Sequence, residues 1–257
     1  MPGMRLLSIL AALAVATVGL IASPARAAQP FGSTSCPGVA PGALLGDPSG
    51  NQYTMGFFFS GVKGKDKATY FGTVGDLVLS APGTKTWAGK SGPAARDSNG
   101  HVVGHFVYAF RVETPNADSF ALVRVDKGIK WSAGVCHFGG PTGVYKDTSL
   151  TPFPVQLYGQ GIPFSLFLPA RTGVADNSAD PDQVTVLGPA DAFATGLGDD
   201  GAPVLSGGLA VGFMTTAVSV GGVPPQSGIQ VRRVTPLVVK AQKATGLKLT
   251  LLTSRPL

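Results

Sequence analysis

The chain has 257 residues, a net charge of +6, 13% charged residues, 36 Gly and 21 Pro. That length suits one large domain or two small ones. A nucleic-acid role needs a basic stripe, and Arg232-Arg233 stands alone, so no nucleic-acid partner is expected.

The first segment reads as a secretory signal. Arg5 gives the positive start, Leu6 to Ala22 is an uncharged apolar run, and Ala25-Arg26-Ala27 is an A-x-A cleavage site. The competing reading is an uncleaved anchor, for which the run is at the short end of the membrane-spanning range. Cleavage after Ala27 makes residues 1–27 the signal peptide and leaves a chain of charge +4, because the segment carries Arg5 and Arg26 and no acid. No second long apolar run follows, so the expected location is secreted, extracellular or in the cell envelope, with no membrane segment after cleavage. Cys36 lacks the apolar residues just upstream that a lipidated Cys would have.

Beyond the signal, Gly and Pro punctuate short β-type runs. Gln52 to Ser60, Thr69 to Gly72, His101 to Arg111 and Phe120 to Val125 read as strands, as do Val155 to Leu157, Val184 to Leu187, Val204 to Ser206 and Leu209 to Met214. Strand alternation puts His101, Val103, His105 and Val107 on one face and Val102, Phe106 and Tyr108 on the other. Ala88 to Gly100 and Arg171 to Asp182 read as polar loops. One helix is expected near the end, with Thr235 as N-cap, Pro236 in the first position, Leu237, Val238, Ala241 and Ala244 at helical spacing and Gly246 as the stop. Leu247 to Leu251 then alternates like a strand. Many short strands with turns between them point to an all-β sandwich or barrel.

Only Cys36 and Cys136 are present, and export makes a disulfide between them the expected state, with two free thiols as the other reading. The bond would close a loop of about 100 residues, for which the chain-entropy model gives roughly 4–5 kcal/mol. The neighbouring pair Cys136-His137 falls short of the four or so ligands a zinc site needs.

Gly198-Asp199-Asp200-Gly201-Ala202-Pro203 resembles the Gly-Asp-Ser-Gly-Gly/Ala-Pro nucleophile loop of chymotrypsin-like serine proteases. Further segments resemble that family in its order. Tyr70-Phe71-Gly72-Thr73-Val74-Gly75-Asp76 takes the place of the segment ending in the catalytic His. Ser119-Phe120-Ala121-Leu122 takes the place of the strand that supplies the orienting Asp. Gly207 to Gly212 resembles the strand after the nucleophile, and Val135 to Gly139 and the closing helix resemble secreted bacterial members. Spacings of 43 residues from Asp76 to Ser119 and 81 from Ser119 to Asp200 fit the family's His, Asp, Ser order. An unrelated secreted β protein with a chance Gly-Asp-Asp-Gly turn is the competing reading.

The resemblance implies an all-β fold, a chymotrypsin-like double β-barrel with a C-terminal α-helix. It divides the chain into an N-terminal barrel over 28–135 and a C-terminal barrel plus terminal helix over 136–257. It also implies that the catalytic positions are all substituted, by Asp76 for His, Ser119 for Asp and Asp200 for Ser. Ser attacks, His moves the proton and Asp orients the His, so none of these roles is filled. Asp118 is next to Ser119, but neighbouring side chains on a strand face opposite ways. His101, His105 and His137 are expected to be structural or surface residues. An oxyanion hole from the N–H groups of Gly198 and Asp200 would have the Asp200 carboxylate beside it and would be self-blocked.

Asp76 and Asp200 would be neighbours if they inherit the His and Ser positions. Two close carboxylates can share a proton and activate water, or contribute to a hard-cation site; two solvated acids in a disused cleft is the plainer expectation. No metal or other cofactor is expected. The sequence therefore predicts a secreted, catalytically inactive protease homologue that binds an unknown peptide or protein in or near the former cleft. A hydrolase using carboxylates and a structural cell-envelope protein are the alternatives.

Overall fold

The computed structural model describes residues 36, 38–46, 52–112, 118–149, 151–160, 169–178, 180–189, 199–220 and 226–257. The signal segment 1–27 and Gly198 lie outside them.

Strand-forming residues punctuated by Gly turns build two sheets. The first holds β1 (Leu44–Gly46), β2 (Gln52–Thr54), β3 (Phe58–Lys63), β4 (Asp66–Thr73), β5 (Gly83–Thr86), β6 (Ala94–Asp97), β7 (Val102–Arg111) and β8 (Ser119–Val125). The second holds β9 (Gly143–Val144), β10 (Phe153–Tyr158), β11 (Ala170–Asn177), β12 (Gln183–Pro189), β13 (Pro203–Ser206), β14 (Leu209–Val220) and β15 (Gln226–Arg233). Helix α1 (Val234–Thr245) follows, and β16 (Lys248–Leu251) returns to pair with β3. The stretch 136–257 thus gives its last strand to the first sheet.

The second sheet closes on itself. Its order β13-β10-β11-β12-β15-β14 ends where β14 pairs back with β13, making a six-stranded barrel. Closure removes the free edges that would otherwise invite pairing with other chains. Val155, Leu157, Val184, Val186, Met214, Ile229 and Val231 fill it. The first sheet runs β16-β3-β4-β8-β7-β6-β1-β2, with β5 also on β7. Phe57, Phe58, Phe71, Phe106, Phe110 and Phe120 dominate its core.

Phe213 on β14 joins the two units. Its ring stands 5.5 Å from Phe57 and 5.3 Å from Phe120, centroid to centroid. A Cβ at Gly72 would sit 2.8 Å from that ring, so Gly72 is a packing requirement. The disulfide Cys36–Cys136 forms, with Cα atoms 5.5 Å apart, and ties the segment before β1 to the connection between the sheets.

The structure differs from the sequence reading in several places. Gln52 to Ser60 is two strands, because Met55-Gly56-Phe57 breaks away to bond Ala43 and Gly72. The loops expected at Ala88 to Gly100 and Arg171 to Asp182 contain β6 and most of β11. A bulge between Phe106 and Tyr108 breaks the alternation on β7, so Val103, Phe106, Val107 and Tyr108 are all buried. Helix α1 starts one residue before the expected N-cap Thr235. Its N-cap is Arg233, which makes no side-chain cap bond, while Gly246 closes it in the left-handed conformation at φ 70° as expected. Val234, Leu237 and Ala241 are its buried face.

Candidate functional site

Three chain segments meet where the two sheets adjoin. The first is the end of β4, which passes through Val74 into a single 3-10 turn, Gly75–Leu77, carrying Asp76. A Cβ on Gly75 would lie 2.2 Å from the Phe110 carbonyl oxygen, so only glycine lets the turn sit so close to β7. The second is the start of β8. Ser119 there is buried at 3% exposure, and its hydroxyl organises the turn. Ser119 Oγ accepts from the N–H groups of Gly75 at 2.7 Å and Asp76 at 3.2 Å, and donates to Asp76 Oδ1 at 2.7 Å. Arg111 Nε lies 3.5 Å from the same Oδ1, and Arg111 also donates to the Leu79 carbonyl.

The third segment is the Asp199-Asp200-Gly201-Ala202 loop entering β13. Its backbone is held from several sides. The Asp200 carbonyl accepts from Thr54 N–H at 2.9 Å, Gly201 N–H donates to Met214 and Ala202 N–H to Asp199. Gly201 has φ 92°, and a Cβ there would meet the Thr54 carbonyl oxygen at 2.4 Å. Beneath the loop, Asp199 is fully buried and forms an ion pair at 2.9 Å with the equally buried Arg171 of β11. Gly159 leaves room for it, since a Cβ there would stand 2.4 Å from Asp199 Oδ1.

The Asp200 carboxyl is half-buried. Burial pushes its pKa from 3.8 to about 7, with the charges of Asp76 and Asp199 adding to the rise. The Asp76 charge therefore reaches Asp200, while Ser119 is hydrogen-bonded to Asp76. Gly198, the other expected oxyanion-hole residue, lies outside the described residues.

Asp118 faces away from this cluster. Its two oxygens lie 3.6 Å from Arg232 Nε and 3.6 Å from Lys240 Nζ. The histidines are engaged elsewhere: His101 with Asp97, His105 with Asp126, and His137 against the rings of Phe138 and Tyr158. Among the described residues no group of three or more His, Cys, Asp or Glu is placed to hold a metal ion.

Sequence reasoning missed Arg171 and Arg111. Arg171 opens a stretch that reads as a polar loop, and nothing local marks it as the partner of an acid 28 residues away. Arg111 ends an apolar strand, and its approach to Asp76 depends on the β5–β7–β8 pairing.

No family model matches the chain, and no curated protein matches it. Solved structures do match. A glutamic-acid-specific serine protease, described as using a histidine triad in substrate binding, is 17% identical with a TM-score of 0.51 over 82% of this chain and 100% of its own. Cellulomonas bogoriensis chymotrypsin is 16% identical with a TM-score of 0.52 over 83% of this chain and 99% of its own. Two sheets, one of them a closed six-stranded barrel, a single α-helix among the described residues and these likenesses together make the fold a chymotrypsin-like double β-barrel.

Proposed function

We propose that this is a secreted, non-catalytic homologue of the chymotrypsin-like serine proteases, which works by binding a peptide or protein segment in the cleft beside Asp76 and Asp200. The carrying observation is the Ser119–Asp76 hydrogen bond at 2.7 Å. On the sequence resemblance, these residues take two of the three triad positions, with a carboxylate in place of the proton-shuttling imidazole. Ser119 cannot replace the missing nucleophile. It is 3% exposed and already bonded to two backbone N–H groups, so no substrate carbonyl reaches it. The loop resemblance gives Asp200 the place of the attacking hydroxyl, and a carboxylate does not form the usual acyl-enzyme. The disulfide and the bacterial protease fold agree with an extracellular location.

One observation favours a second reading. Asp200, with its pKa near 7 beside Asp76, has the makings of a proton-sharing carboxylate pair able to activate water. A single experiment separates the two. The purified protein and an Asp200→Ala variant are incubated with a diverse peptide mixture, and both products and retained peptides are read by mass spectrometry. The proposal expects a retained subset of peptides and no cleavage. Cleavage by the wild type that disappears in the variant establishes the carboxylate hydrolase instead. Neither cleavage nor retention removes the binding role and leaves a scaffold.

A further inference from the structure

A cleft of about 420 Å³ opens on the first sheet, away from the Asp76–Asp200 cluster. It is lined by the ends of β4 and β8, the turn that follows β8, and Lys90. Its volume is in the range of small-molecule sites. Four cations, Lys67, Lys90, Arg124 and Lys127, face one carboxylate, Asp126. Lys90 is paired with Asp126 at 3.1 Å, and Arg124 with the neighbouring Asp66 at 3.0 Å. Lys67 and Lys127 are exposed and have no carboxylate partner among the described residues. The cleft therefore holds uncompensated positive charge, which favours an anion.

The wall is not only charged. Trp131 is 41% exposed, yet its ring is stacked on the buried Phe58 at 5.7 Å and 17°. It is thus a fixed aromatic surface beside the lysines. Arg124 also lines a second cleft, of about 310 Å³, whose wall holds Trp87. Both tryptophans of the chain therefore line clefts that share Arg124.

We propose that this cleft binds an acidic saccharide, with a sugar ring against Trp131 and its carboxylate or sulfate on Lys67 and Lys127. An extended acidic peptide is the competing occupant, because the cleft-lining stretch of β4, Lys67 to Thr69, pairs with β3 alone and its register with β8 begins only at Tyr70. The fixed, part-exposed indole of Trp131 favours the sugar. A ring with a flat apolar face and a pendant anion needs no strand edge. It uses the indole face and charge-assisted hydrogen bonds from the lysines.

The test is calorimetric titration of the purified protein with trigalacturonic acid and a heparin-derived tetrasaccharide, beside neutral cellotriose and hexaglutamate. Saturable binding of at least one acidic saccharide, with quenching of tryptophan fluorescence and little binding of the other two, is expected. A Lys67→Gln/Lys127→Gln variant should weaken it about tenfold. A Lys85→Gln/Lys243→Gln variant, which removes the same charge elsewhere on the exposed surface, should leave it unchanged. The proposal is overturned if neither acidic saccharide saturates, if cellotriose binds as well, or if both lysine pairs act alike. Tighter binding of hexaglutamate also overturns it and makes the cleft an acidic-peptide site.

Discussion

Asp200→Asn tests the electrostatics of the cluster with almost no change of shape. The folded protein holds the Asp200 proton up to a pKa of about 7, against 3.8 for the ordinary carboxyl. Between those values the native state binds a proton that the unfolded chain has released, so stability falls as pH rises. The associated stability is present in full below pH 3.8 and is gone once pH passes about 7. A shift of about 3 units at about 1.4 kcal/mol each amounts to roughly 4 kcal/mol. Asparagine has no proton to lose, so the variant should escape that decline.

Relative to the wild type, the variant should therefore gain about 4 kcal/mol between pH 4 and pH 8, whatever constant offset the amide introduces. For a chain of this size that corresponds to roughly 10 °C in Tm. Urea unfolding with the disulfide intact, followed by fluorescence at one-unit steps of pH, reads the difference directly. Parallel stability curves for the two proteins, or a gain on the acid side, would refute the reasoning. Because the Asp76 charge ranks second after burial among the causes, Asp76→Asn should shorten the sloping region without abolishing it.

Ser119→Ala should cost about 2–3 kcal/mol in urea unfolding, since it strands the buried N–H groups of Gly75 and Asp76 and removes a donor to Asp76. Arg171→Met should cost about 3–5 kcal/mol by leaving Asp199 buried without its guanidinium, and combining it with Asp199→Asn should cost less than the two changes added. Replacing Cys36 and Cys136 by alanine should remove roughly 4–5 kcal/mol, seen as a lower calorimetric Tm, if loop closure over 100 residues dominates.

What the sequence made legible follows from which residues the fold buries. Core strands such as β8 hold an apolar run, here Phe120 to Val123, and their end signals are Gly and Asp turns. The left-handed position at Gly246 is also a local requirement, so it was readable. Strand β5, Gly-Thr-Lys-Thr, is exposed at every position and so carries no alternation to read. Strand β11 hid for a different reason. Its inward positions include Arg171 and Ala175, and a charged residue at a buried site looks like a surface residue until its partner Asp199 is known. Motif order alone marks Asp76, Ser119 and Asp200 as a set. The raised Asp200 pKa is not legible there, because it depends on how deeply the loop is seated.

The support beneath Asp200 bears on what the loop is for. A buried ion pair such as Arg171–Asp199 contributes little net stability compared with an apolar pair of the same volume. Its clearer effect is positional. With Gly159 making room below and Thr54 and Met214 bonding the backbone above, it fixes the turn that presents residue 200. A solvated acid in a disused cleft would need no such seat and would keep an ordinary pKa. Here the acid is held where desolvation and two neighbouring carboxylates keep it partly protonated at neutral pH. A carboxyl in that state can both donate and accept a hydrogen bond, as a peptide amide requires of its partner. That seat and that protonation state fit the proposed binding of a peptide better than the scaffold reading.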